Sequence, residues 1–185
     1  MARGVLASPG PESPRREVPG LSYAAQPGWI AQEPDSSARV AQYGLPSYEE
    51  SDQDAGLVVY HFGSAGAGTV QSNLDRWFGQ FEQPDGSASG DAAVITELDS
   101  HGLAVSTVDL SGRYVAETFP GSGARVNNPA YRMLAAIVTT EAGPYYVKLL
   151  GPEATVARWQ SSFDGFIGSL RPAHVENNGG GAEHP

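Results

Sequence analysis

The stretch GPEATVARWQSSFDGFIGSLRP, residues 151–172, constrains the fold more than any other. Val156, Trp159, Phe163, Phe166, Ile167 and Leu170 recur at helical spacing, so one stripe of a helix is apolar along its length. Pro152 suits the first turn, where a missing N–H costs nothing, and Pro172 stands just past the end. Burying six such side chains at ~1.5–3 kcal/mol each contributes on the order of 9–18 kcal/mol gross, an upper bound before entropy. The helix must pack on a sheet to realise it.

The rest of the chain supplies the strands. RVAQYGL (39–45) and LVVYHF (57–62) flank the acidic loop PSYEESDQDAG and read as a hairpin. AAVITELD and LAVSTVDL, split by SHG, read as a second, and YRMLAAIVTT and YYVKLL, split by EAGP, as a third. Between the first two, Val70, Leu74, Trp77, Phe78 and Phe81 share one helical face, with Thr69 in N-cap position. The order ββαββββα predicts an α+β domain: a mostly antiparallel sheet of about six strands flanked by two main helices. A chain of 185 residues suits one such domain. Residues 1–27, rich in Pro, Gly, Ser and Arg, read as a disordered N-terminal arm, 28–172 as the single domain, and 173–185 as a disordered tail.

Charge and composition narrow the function classes. Eleven basic against 21 acidic side chains leave a net charge of −10, which disfavours binding to nucleic acid or an anionic membrane, since both require a positive field. Zero cysteines exclude disulfides, thiolate metal sites and a cysteine nucleophile in this sequence. GVLA near the start is shorter than the ~7–15 apolar residues of a secretory signal, and no run reaches the ~18–20 that span a bilayer. The expectation is a chain with no signal peptide and no transmembrane segment, a monomer or weak oligomer.

The glycine-rich loop GSAGAGT (63–69) invites a phosphate reading, but the residues decline it. A Walker loop needs a Lys between the last glycine and the hydroxyl residue, and here Gly68 is followed directly by Thr69. A dinucleotide fingerprint needs GxGxxG, and the glycines stand at 63, 66 and 68, ahead of strands that pair as hairpins. The loop reads as a strand-to-helix connection. His61, His101, His174 and His184 show neither HxH nor HExxH spacing, and no GxSxG elbow occurs, so no metal, cofactor or catalytic residue is assigned. His61 beside the loop is a conceivable general base, with a structural role favoured. Glu49, Glu50, Asp52 and Asp54 lack the EF-hand pattern and read as a solvated acidic loop rather than a calcium site.

Asn73, Arg76, Trp77 and Gln80 form an N-x-x-R-W-x-x-Q pattern on the first helix. This resembles the helix of a family of uncharacterised bacterial proteins, many of them lipoproteins. QPGWIA, VDLSG, RMLAAIV, GPYYVKLLGP and the closing F-x-x-F-x-x-S-L helix follow in the same order, so the resemblance covers roughly residues 28–171. It implies a PsbP-like α/β/α sandwich, a fold shared by a photosystem II subunit and a Ran-binding import factor, an envelope location and no known catalysis. The sequence departs from those relatives in having neither an apolar signal nor a lipobox cysteine, which leaves a cytoplasmic location as the alternative.

Asn73, Arg76 and Gln80 lie on one polar helix face, where hydrogen bonds to loop carbonyls are favoured over ligand contact. Tyr145 and Tyr146 point to opposite sides of their strand, so one of them is expected at the surface. Lys148, the only lysine, shares a face with Tyr146 and reads as a snorkelling side chain at a sheet edge or as part of a polar-aromatic patch. The candidate binding residues are therefore Asn73, Arg76, Trp77, Gln80, Tyr146 and Lys148. The leading expectation is a non-enzymatic binding or scaffold module with an unidentified protein or small-molecule partner. The alternatives are a small-molecule carrier with a pocket between the sheet and the first helix, and a phosphate-handling or hydrolytic enzyme built on His61.

Overall fold

Neighbouring residues on the longest strands are buried in opposite directions, and that single fact sets the layers. The computed structural model describes residues 14–48 and 53–174. The first half of the chain holds β1 (Arg15–Val18), β2 (Leu21–Ala24), β3 (Ile30–Gln32), β4 (Arg39–Leu45), β5 (Ala55–His61) and α1 (Val70–Phe78). The second holds β6 (Phe81–Glu82), α2 (Ser89–Ala92), β7 (Val94–Ser100), β8 (Leu103–Tyr114), β9 (Asn128–Val138), β10 (Tyr145–Pro152), α3 (Glu153–Ser169) and β11 (Arg171–Pro172). The main sheet runs β3-β4-β5-β10-β9-β8-β6, with β7 also on β8, and a small sheet runs β1-β2-β11. Every pairing is antiparallel.

Along β9 and β10, Leu134, Ala136, Val138, Tyr145, Val147 and Leu149 join one apolar cluster, while Met133, Ala135, Ile137 and Tyr146 join the other. A sheet buried on both faces has no polar side to alternate with, which is why LAAIV and YYVKLL read as continuous apolar runs. The first cluster is roofed by the α3 stripe, Val156 through Leu170, and by Leu21 and Tyr23 of the small sheet. The second is roofed by Leu74 and Trp77 of α1, with Phe81 of β6. The result is an α+β sandwich. Tyr145 and Tyr146 are consequently both buried, not one in and one out as alternation alone predicts.

The other expectations fare unevenly. The three hairpins and both helices occur where the patterns place them, but the described residues form 11 strands rather than about six. The additional ones are short: β1, β2, β3, β6 and β11 span two to four residues each. Helix α1 stops at Phe78, because Gly79 caps it and the chain turns, so Phe81 reaches the same core from a strand. The domain boundary expected at residue 28 is also corrected. Residues 15–24 form a hairpin in which Leu21 and Tyr23 are fully buried, held by Tyr145 Oη donating to the Pro19 carbonyl (2.7 Å) and Arg15 Nη2 to that of Ser169 (2.8 Å). A segment poor in apolar residues orders here because its two best ones plug the α3 roof. The remainder of the expected arm and tail, residues 1–13 and 175–185, lies outside the described residues.

Candidate functional site

The loop 63–69 turns β5 into α1 and is fastened from three sides. Thr69 caps the helix, its Oγ1 accepting the Ser72 amide at 3.1 Å. Gly66 and Gly143 let the loop lie on the β9–β10 turn: a Cβ at Gly66 would sit 2.7 Å from Pro144 Cγ, and one at Gly143 2.4 Å from the Gly63 carbonyl oxygen. Both glycines have positive φ, +64° and +104°. His61 closes the same corner, its Nε2 donating to the Ala142 carbonyl (3.0 Å) and its ring stacked on Tyr145 at 4.2 Å between centroids. GSAGAGT is therefore a packed connection.

The six candidates fall into two neighbouring contact sets, Asn73, Arg76, Trp77 and Tyr146 at α1 and Gln80 with Lys148 just beyond its end. Asn73, 2% exposed, donates through Nδ2 to the carbonyls of Ala67 (3.1 Å) and Thr69 (2.8 Å) and to Tyr146 Oη (3.4 Å). Arg76 Nη2 donates to the same Ala67 carbonyl at 3.2 Å and to Asn73 Oδ1. The Ala67 amide donates to Tyr146 Oη at 3.3 Å, so both backbone groups of Ala67 are satisfied by the cluster. Trp77 meets the Tyr146 ring edge-on, at 88° and 6.5 Å between centroids.

Lys148 is not at a sheet edge: β10 lies between β5 and β9 at the centre of the sheet. Its Nζ donates to Gln80 Oε1 and lies 5.6 Å from the centre of the Tyr114 ring. Burial, and after it the positive charge of Arg76, pushes its ammonium down from the usual lysine range to about 8. The cluster thus holds two cations whose contacts are amide, carbonyl and aromatic groups, which suits positioning of the helix and its loop more than proton transfer.

Three clefts of about 630, 850 and 630 Å³ occur elsewhere. The first lies between α3 and the β7–β8 hairpin, the second beside the Thr139–Glu141 turn, and the third around Gln83 and Arg113. None is lined by the six candidates. Of the acidic loop, Glu49, Glu50 and Asp52 lie outside the described residues, and Asp54 Oδ1 accepts the Ser47 amide at 2.7 Å. His101, at the β7–β8 turn, accepts Arg171 Nη1 at its Nδ1 (2.7 Å), while Ser100 Oγ donates to the carbonyls of Ile167 (2.9 Å) and Leu170 (3.2 Å). That turn completes the C-terminus of α3, a role for which Ser-His-Gly carries no signal in sequence.

No family model and no curated protein matches the chain. Among solved structures, the cyanobacterial PsbP protein (CyanoP) of Synechocystis is similar at 16% identity and a TM-score of 0.51, over 92% of this chain and 98% of that one. A Pseudomonas aeruginosa protein of unknown function aligns at 12% identity and a TM-score of 0.48, over 78% of this chain and 97% of that one. Identities of this size speak for architecture alone, and on that ground the chain has a PsbP-like α+β fold.

Proposed function

We propose that the protein is a non-catalytic binding module that works by presenting a surface to another protein, at a bacterial cell envelope. The observation that carries the reading is how the reactive-looking side chains are used. His61, Asn73 and Arg76 each donate to a backbone carbonyl of the fold itself, His101 accepts the Arg171 guanidinium, and Lys148 contacts Gln80. Groups already committed to holding loops in place are poorly placed to attack or protonate a substrate. The envelope location rests on the likeness of the Asn73–Gln80 helix pattern to that of bacterial lipoproteins.

Cross-linking in the source cells followed by native mass spectrometry tests this. The expected result is a protein partner in a defined ratio and a chain otherwise at its polypeptide mass. A small molecule retained at one per chain would make the protein a carrier instead, and turnover of a phosphoester or ester lost in a His61→Gln variant would make it an enzyme.

A further inference from the structure

The main sheet ends differently on its two sides. At one side β3 is three residues long, between Pro27 and Pro34, which is how natural sheets discourage pairing with strangers. At the other, β7 pairs with β8 along all of Val94–Ser100, and among the described residues no strand lies on its outer side. It contains no proline, lysine or arginine, and its apolar residues are unusually open: Val94 is 62% exposed and Ile95 44%. An edge of seven residues guarded only by the acidic Glu97 and Asp99 is a template for an added strand of complementary charge.

The two faces of that edge are chemically distinct. Val94, Thr96 and Leu98 face the α3 side, where the 630 Å³ cleft continues the apolar wall to Phe163 and Ile167. Ile95, Glu97 and Asp99 face the other way, and Glu97 and Asp99 are exposed. Among the described residues no lysine or arginine lines the cleft. Of its carboxylates, Asp109 is held by Arg132 in a two-pronged pair (2.8 and 2.7 Å), whereas Asp164 forms no ion pair among the described residues.

We infer that the outer edge of β7 and the adjoining α3 cleft bind an extended segment of another protein in which apolar and basic residues alternate. Hydrogen bonds along the edge would register the segment. Its apolar side chains would enter the cleft beside Leu98 and Phe163, and its basic ones would meet Glu97 and Asp99 on the opposite face. A second copy of this chain suits the site badly: each carries −10, and antiparallel pairing of β7 with itself sets the Glu97 and Asp99 carboxylates of both copies on one face. This inference rests on the binding-module reading and adds the place and the chemistry of the partner.

The test uses the full chain and a capped peptide alternating valine with lysine over the length of β7, read by calorimetry and amide hydrogen exchange. Binding should slow exchange in Val94–Ser100 and weaken roughly five- to tenfold in Glu97→Lys or when the peptide lysines become glutamates. Methylating alternate peptide nitrogens in each of the two possible phases should abolish binding in one phase and spare it in the other, because a strand pairs through one edge. Equal binding by both methylated peptides overturns the proposal, as does no binding at millimolar peptide. So does β7 protection that grows with protein concentration and without peptide, which would mean self-pairing. Protection confined to another surface overturns it too but leaves the binding-module reading standing; that reading falls instead on a retained metabolite or on turnover.

Discussion

Tyr23 is buried with a hydroxyl that finds no hydrogen-bond partner among the described residues, while its ring packs on Phe166 at 5.2 Å. An unpaired buried hydroxyl costs about 1–3 kcal/mol, so Tyr23→Phe should leave stability unchanged or raise it by about 1 kcal/mol in urea denaturation. Lys148 makes a prediction about pH. Its ammonium titrates near 8 in the folded protein and near 10.4 when unfolded, so between those values the unfolded chain holds a proton that the folded one has lost. Stability therefore rises with pH from about 8 to 10, on the order of 1–2 kcal/mol from this group. Above about 10 the sign reverses, because burial raises the phenols of Tyr60, Tyr114 and Tyr145 and the folded state then keeps protons the unfolded state releases. In Lys148→Met the rise from 8 to 10 should vanish while the fall above 10 persists; urea midpoints at half-unit pH steps decide it.

At the scale of elements, one buried amide, that of Asn73, ties α1 to its loop and to β10. Asn73→Ala removes one donor from the Ala67 and Thr69 carbonyls and from the Tyr146 hydroxyl, and takes the Oδ1 acceptor from the Arg76 guanidinium. The expected cost is about 2 kcal/mol, with faster hydrogen exchange at Ala67 and along the first turn of α1 and little change in β8 and β9. Uniform loss of protection would show that the loop is not a separate unit. The helix itself was legible because Thr69, Leu74 and Trp77 stand at cap and core spacing. That Asn73, Arg76 and Tyr146 converge was legible only as a shared face. The common target, Ala67, is a small loop residue with no signature of its own, and the Tyr146 hydroxyl arrives from a strand 73 positions on in sequence. The pattern of AAVITELD marks β7 as half of a hairpin, but whether a strand lies inside a sheet or at its rim is decided by its neighbours, which no local pattern encodes.

Across the whole molecule, the two apolar clusters meet through a sheet one strand thick, so the roof on either face should matter to global stability. Leu21→Ala, in the hairpin that closes the α3 side, is expected to cost about 2–4 kcal/mol in denaturant unfolding without altering its cooperativity. A change below 0.5 kcal/mol would mean that the hairpin is ornamental. The sequence by itself determined the α+β class, three hairpins, two amphipathic helices and a glycine loop without the cation a phosphate needs, because period and turn chemistry act between residues a few positions apart. Long-range packing, by contrast, sets that residues 15–24 belong to the core, that Tyr145 and Tyr146 are both buried, that Lys148 lies mid-sheet, and that β7 is left with an open acidic edge. Each depends on what packs above, below or beside a segment, and those partners come from distant parts of the chain.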